Sequence, residues 1–309
     1  MQIFRGLGRW PLRIGFSPDG SLLGAGDDRA FHMWDVGGSP DPLWTVDNGP
    51  LGRTFTFVPD GGAVTAIYYS GLLWFDARTG ARTDGPALTA SHTHPAPDGW
   101  TVVSVARDQA TGVQRFRALR PTVSGWTELW HHDRTFNPHL EWHGYRALLF
   151  APDATRLARV RSLDRSVQNV SRTGIEVFDL ATGEVLADWV GQLPTYAREG
   201  AVSPQGVAVL LRERALFVVD TARPESEPVK RLNSTLKHFT SVAFSRDGAQ
   251  LATTSNDTAA TLWDVTAWEP RRRYEWDIGR LRTVCFAPDG LRCAAGGDTG
   301  QIVVWDLDD

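Results

Sequence analysis

Short alternating runs of apolar and polar residues, separated by turn residues, fill this chain. Near its C-terminal end the run Thr240-Ser241-Val242-Ala243-Phe244 enters the turn Arg246-Asp247-Gly248. A second, small and apolar run follows, Gln250-Leu251-Ala252-Thr253-Thr254. Then come the polar turn Asn256-Asp257-Thr258 and a strand ending in Trp263-Asp264. Alternation over four to eight residues between turn signals predicts antiparallel β-strands. No segment carries a sustained helical period, so no helix is expected.

The same unit returns along the chain. Phe16-Ser17-Pro18-Asp19-Gly20 leads to Met33-Trp34-Asp35, and Phe286-Ala287-Pro288-Asp289-Gly290 leads to Val304-Trp305-Asp306. Proline presets φ, aspartate bonds the backbone two residues on, and glycine accepts positive φ, so each Pro-Asp-Gly is a turn with a mechanism. Weaker copies start at Phe55, Pro95, Phe150 and Val202, with Phe or Val in place of Trp at Phe116, Phe178 and Val219. Aligned on the turn position, Pro18, Pro59, Pro97, Pro152, Pro204, Arg246 and Pro288 stand 41, 38, 55, 52, 42 and 42 residues apart. Steps of ~40–45 residues fit a four-stranded propeller blade. The two long steps suggest an irregular insertion near 131–143 and a widened loop from Asp164 to Thr173. Asp-x-x-Thr-Gly at Asp76–Gly80 and Asp179–Gly183 marks a hairpin to an outer strand.

Phe-Ser-Pro-Asp-Gly, the small-residue strand after it and Trp-Asp together resemble the WD40-repeat (WD-repeat) β-propeller family, and the resemblance covers essentially the whole chain. It implies an all-β, seven-bladed β-propeller of four-stranded antiparallel blades, one domain over residues 1–309. Blades are expected to start near residues 12, 53, 91, 146, 198, 240 and 282. The leftover β-like segment 2–7 would complete the last blade and leave no open sheet edge. The family's Gly-His pair is missing. Its turn aspartate is matched by Asp28 and Asp257, with Thr299 in that place in the last unit. Apolar packing between blades is therefore expected to carry the stability.

Composition narrows the function. The 309 residues hold 32 basic and 36 acidic side chains, a net charge of −4. That balance steers the chain toward neither nucleic acid nor an anionic membrane. All basic residues except Lys230 and Lys237 are arginine. Cys285 and Cys293 fall on two arms of one hairpin with Cys293 opposite Phe286, so their sulfurs point to opposite faces and are expected to be reduced. Met1 to Gly6 lacks the apolar core of a signal peptide, and no apolar run is long enough to span a bilayer, so a soluble cytoplasmic protein is expected.

Four residues before each repeat's Phe stand Leu12, Arg53, Ser91, Arg146, Arg198, Thr240 and Arg282. In the family that position opens the innermost strand. The resemblance thus implies a channel mouth where Arg53, Arg146, Arg198 and Arg282, joined by Arg29, receive an acidic or phosphorylated segment of another protein. Converging guanidiniums bind anions more strongly than isolated ones. Acidic neighbours could instead neutralise them.

His131, His132, Asp133, His139, Glu141 and His143 offer divalent-metal donor types, but their spacing matches no compact motif and a decorated surface loop is expected. Trp126, Trp130, Phe136, Trp142 and Tyr145 would fold that loop onto the ring. His92 and His94 read as core histidines on an inner strand, and Arg271-Arg272-Arg273 as a charged outer strand. Gly-x-Ser-x-Gly, His-Glu-x-x-His, a phosphate loop and Cys-x-x-Cys are all missing. The expectation is a non-catalytic, monomeric protein-interaction scaffold, with no cofactor or metal. The alternative is a hydrolase or lactonase-like propeller with a metal at the channel or in the 131–143 insertion.

Overall fold

A computed structural model describes residues 1–47, 55–68, 71–86, 88, 93–108, 111–122, 125–135, 147–163, 170–194 and 199–308. Their strands form seven four-stranded antiparallel sheets, each a blade of a propeller. The first blade shows the plan: β2 (Arg13–Phe16), β3 (Leu22–Gly26), β4 (Ala30–Asp35) and β5 (Trp44–Asp47), inner to outer in chain order. In the last blade β26 (Leu281–Phe286), β27 (Arg292–Gly297) and β28 (Ile302–Asp306) are completed by β1 (Gln2–Phe4) from the other end of the chain. The register is Gln2 opposite Val304 and Phe4 opposite Ile302. The ring therefore closes across the seam, as the leftover N-terminal segment implied.

Each blade buries both faces against neighbours, which is why its middle strands are short apolar runs rather than half-polar ones. Among the described residues the core divides into seven clusters, each lying where two consecutive blades meet. At the seam Phe4, Leu7, Ile14, Trp34 and Val304 pack together. Between blades four and five lie Leu149, Val160, Ile175 and Trp189. The smallest cluster, Val58, Leu72 and Trp74, joins blades two and three, with Trp126 packed on it.

Polar links supplement this packing, and they recur in a way the motifs did not announce. A side chain on the outer strand of one blade donates to a backbone carbonyl in the outer turn of the next. Trp44 Nε1 reaches Ala77 O at 3.0 Å, and Trp130 Nε1, on β13 (Gly125–Thr135), reaches Leu180 O at 2.8 Å. Trp189 Nε1, on β17 (Val185–Pro194), reaches Ser226 O at 3.5 Å. Arg231 Nε donates to Trp268 O at 2.7 Å, and Tyr274 Oη to Leu307 O at 2.6 Å. Arg5 N donates to Pro40 O at 2.9 Å across the seam.

The Asp-x-x-Thr-Gly motif makes the turn that receives two of these links. Asp76 accepts from Arg78 N, Thr79 N and Thr79 Oγ1, and Asp179 accepts from the matching groups at 181 and 182. Gly80 and Gly183 then adopt φ of 70° and 76°, where a side chain would be strained. A Cβ on Gly80 would stand 2.6 Å from the Trp44 ring, and one on Gly183 2.6 Å from the Trp130 ring. The glycine serves the preceding blade's tryptophan as well as its own turn.

Three expectations need correction. The stretch from His131 to Asp133 is no loop: it lies on β13, paired along its length with β12 (Val113–Thr122). Residues 170–173 likewise belong to β16 (Val170–Asp179), so the described part of each long step lengthens a strand, β12, β13 and β16 running ten, eleven and ten residues. The turn carboxylate of the first blade is Asp27, buried and accepting from Arg29 N at 2.7 Å and Ala30 N at 2.8 Å, while Asp28 is exposed and paired with Arg9 at 2.9 Å. The last blade has its own in Asp298, one position before Thr299, accepting from Arg280 N at 2.9 Å.

Cys293 does pair opposite Phe286, and both cysteines are free. Burial pushes the Cys285 thiol up to about 12, with nearby Arg13 opposing the shift.

Candidate functional site

Seven inner strands leave an axial channel, a cavity of about 1260 Å³ whose walls include residues of every blade. Its lower mouth is ringed by the turn prolines Pro18, Pro59, Pro97, Pro152 and Pro288, with Arg246 where the sixth unit lacks proline. The upper mouth lies where the inner strands begin. There Arg13 stands opposite Gly26 and Leu281 opposite Gly297, so the turns bearing Asp27 and Asp298 share that face.

Of the expected arginines, Arg282 and Arg29 are described; Arg53, Arg146 and Arg198 lie outside the described residues. Arg282 lines the channel and is already engaged. It meets Asp298 at 3.4 Å and the Asn256 side-chain oxygen of blade six at 3.4 Å. Its guanidinium also lies 5.5 Å from the centroid of the Trp10 ring. Arg29 is exposed in the turn closed by Asp27.

Residues 9–12 cross the seam between the two arginines. Arg9 pairs with Asp28, Trp10 covers Arg282, and Leu12 N donates to Gly26 O at 2.8 Å. Trp10 is 43% exposed and Leu12 40%, and Arg280, whose amide donates to Asp298, is exposed as well. Trp10 escaped the repeat alignment because it belongs to the connection between β1 and β2, outside every repeated motif. Its one signal was a large aromatic in a segment with no strand to fill.

Two further channel groups stand one residue beyond the arginine column: Arg13 and Glu199. His94 also lines the channel, which corrects its reading as a core residue; His92 is outside the described residues.

The histidine-rich segment is committed elsewhere. His132 Nε2 contacts Gly183 O at 2.6 Å, His131 pairs with Glu128 at 2.7 Å, and Asp133 takes both Nε and a terminal nitrogen of Arg115 at 2.6 Å. His139, Glu141 and His143, with Phe136, Trp142 and Tyr145, lie outside the described residues. Among the described residues no three His, Cys, Asp or Glu side chains gather as a metal site would require. No described helix is long and apolar enough to cross a membrane.

Comparison with known proteins agrees with this geometry. The family described as WD domain, G-beta repeat matches residues 226–264 and 272–306, which are the units carrying the last two Trp-Asp pairs. A segment of 51 residues is 35% identical to the small ribosomal subunit protein RACK1y of Oryza sativa subsp. japonica, covering 16% of this chain and 15% of that protein. Seven four-stranded blades define the fold as a β-propeller, and its last two repeat units match the WD-repeat family. The fold and the matched repeats fit a protein-interaction role.

Proposed function

We propose that this propeller is a non-catalytic interaction module whose upper face receives an acidic or phosphorylated segment of another protein. The observation that carries the reading is Trp10, exposed and lying over Arg282 at the channel mouth. Tryptophan and arginine are the side chains that most often dominate binding energy at interfaces, the first through area and the second through charge-assisted bonds. Leu12 adds apolar area, and Arg29 and Arg280 add positive charge at the same seam. Asn256 and Asp298 hold the two terminal nitrogens of Arg282, and an incoming carboxylate or phosphate would compete with them for the guanidinium. The same reading takes residues 1–309 as one cytoplasmic domain acting as a monomer; analytical ultracentrifugation checks the monomer.

The test is capture of the protein on immobilised acidic and phosphorylated peptides, with Trp10→Ala in parallel. Retention on acidic beads, reduced by at least about fourfold in the variant, supports the reading. Equal retention of both proteins, or equal retention on basic beads, contradicts it.

A further inference from the structure

Arg13 and Glu199 open the inner strands β2 and β18 (Glu199–Val202), each three residues before the strand's last position. They therefore stand at one level of the channel, on the walls of the first and fifth blades. The other described residues at that level are Ala147, Ser241 and Thr283, which also line it. Among the described residues this belt thus carries one cation and one anion, on different walls, between hydroxyls and a methyl.

Among the described residues neither charge has a bonded partner. Arg13 and Glu199 sense each other electrostatically, yet neither makes an ion pair or a side-chain hydrogen bond to any described residue. Solvent in the channel reaches both. The surrounding strands still strip water from them: burial pushes the Glu199 carboxyl up and the Arg13 guanidinium down, and each is partly relieved by the other. A structural pair would have closed to contact, because an under-solvated charge is stabilised most by a hydrogen-bonded partner. No such contact joins Arg13 and Glu199, although both line the channel.

We propose that this belt is a binding site for a small zwitterion, an amino acid whose carboxylate meets Arg13 and whose ammonium meets Glu199. A planar guanidinium matches a carboxylate bidentately, and a carboxylate accepts readily from an ammonium. Ser241 and Thr283 supply hydroxyls beside them. The proposal is independent of peptide binding on the upper face, since it uses neither Trp10 nor Arg282.

Isothermal titration calorimetry of the full chain with glycine, β-alanine, 4-aminobutyrate and 5-aminopentanoate tests it. Saturable binding with one preferred chain length is expected, at least about tenfold tighter than acetate or butylammonium, since each lacks one of the two charge-assisted contacts. Arg13→Met and Glu199→Gln should each lower affinity about tenfold or more, and the exchanged pair Arg13→Glu with Glu199→Arg should recover it. Should a variant fail to fold, the comparison of zwitterions with singly charged analogues on the unaltered protein decides. Heats indistinguishable between zwitterions and single ions, or no binding by any member of the series, overturns the proposal.

Discussion

The indole of Trp130, on the outer strand of blade three, occupies the space that a side chain on Gly183 of blade four would need, and its Nε1 donates to Leu180 O at 2.8 Å. Trp44 stands in the same relation to Gly80 one pair of blades earlier in the ring. These contacts tie the outer rim of one sheet to the turn of the next. Gly183→Ala should destabilise by about 1–3 kcal/mol through crowding, beyond the strain of its positive φ. Trp130→Leu removes the crowding, so the same alanine should cost less in that background. Urea unfolding of the four proteins in the cycle measures the coupling, and additive effects would show that the ring and the turn are independent.

Closure of the ring rests on β1. Phe4 is fully buried in the seam cluster, and Trp34 Nε1 of the first blade donates to Arg5 O at 3.0 Å. Phe4→Ala should cost about 3–5 kcal/mol, the range for a large aromatic removed from a packed core. Deleting residues 1–8 should lower the melting temperature of the whole protein in one transition. Calorimetry showing an unchanged melt, or loss of one blade alone, would contradict a closed ring.

Acid should loosen the turns. The Ser17 hydroxyl, then the Ser21 amide, hold the Asp19 carboxyl down at about 2, against an ordinary 3.8. Asp247 is lowered in the same way, first by Ser245, Asp76 first by the Thr79 hydroxyl, and Asp264 first by the Ala267 amide. A carboxyl depressed in the folded state contributes stability above its unfolded pKa and loses it as pH falls through the folded value. The melting temperature should therefore fall between about pH 4 and about pH 2. Asp19→Asn, Asp76→Asn, Asp247→Asn and Asp264→Asn together should flatten that slope, read by thermal melts at each pH. A slope unchanged in the fourfold variant would place the acid sensitivity elsewhere.

How far the sequence reached follows from what repeats in it. Pro-Asp-Gly turns and Trp-Asp strand ends are local chemistry at a fixed period, so blade number, strand order and the role of β1 could be read directly. The outer strands carry no shared motif: Trp44, Trp130, Trp189, Arg231 and Tyr274 perform related tasks with different side chains, so alignment could not find them. The hairpin of β12 and β13 was misread as a loop because His131, His132 and Asp133 are polar on both faces of a strand. Asp27 was passed over for Asp28 because a turn shifted by one residue leaves the count to Trp34 ambiguous. In the channel the arginine column drew notice, while Arg13 and Glu199 are single departures where sister units have Ala147, Ser241 and Thr283.

The charge of the upper mouth can be probed without disturbing its packing. Asp298→Asn keeps an acceptor for Arg280 N while removing the negative partner of Arg282. Affinity for an acidic peptide should rise about two- to fivefold, with a steeper salt dependence, because the freed guanidinium gains from a new anion. Anisotropy titrations at two ionic strengths measure this, and weaker binding in the variant would mean that Asp298 itself contacts the ligand.

The most direct measurement of the interaction reading is a fluorescence-anisotropy titration of an acidic phosphopeptide against the protein and its Arg198→Ala, Arg282→Ala double variant. Binding that weakens with salt and falls at least about tenfold in the double variant is the expected result. Equal affinity for the two proteins, or a preference for a basic peptide of the same length, would contradict it.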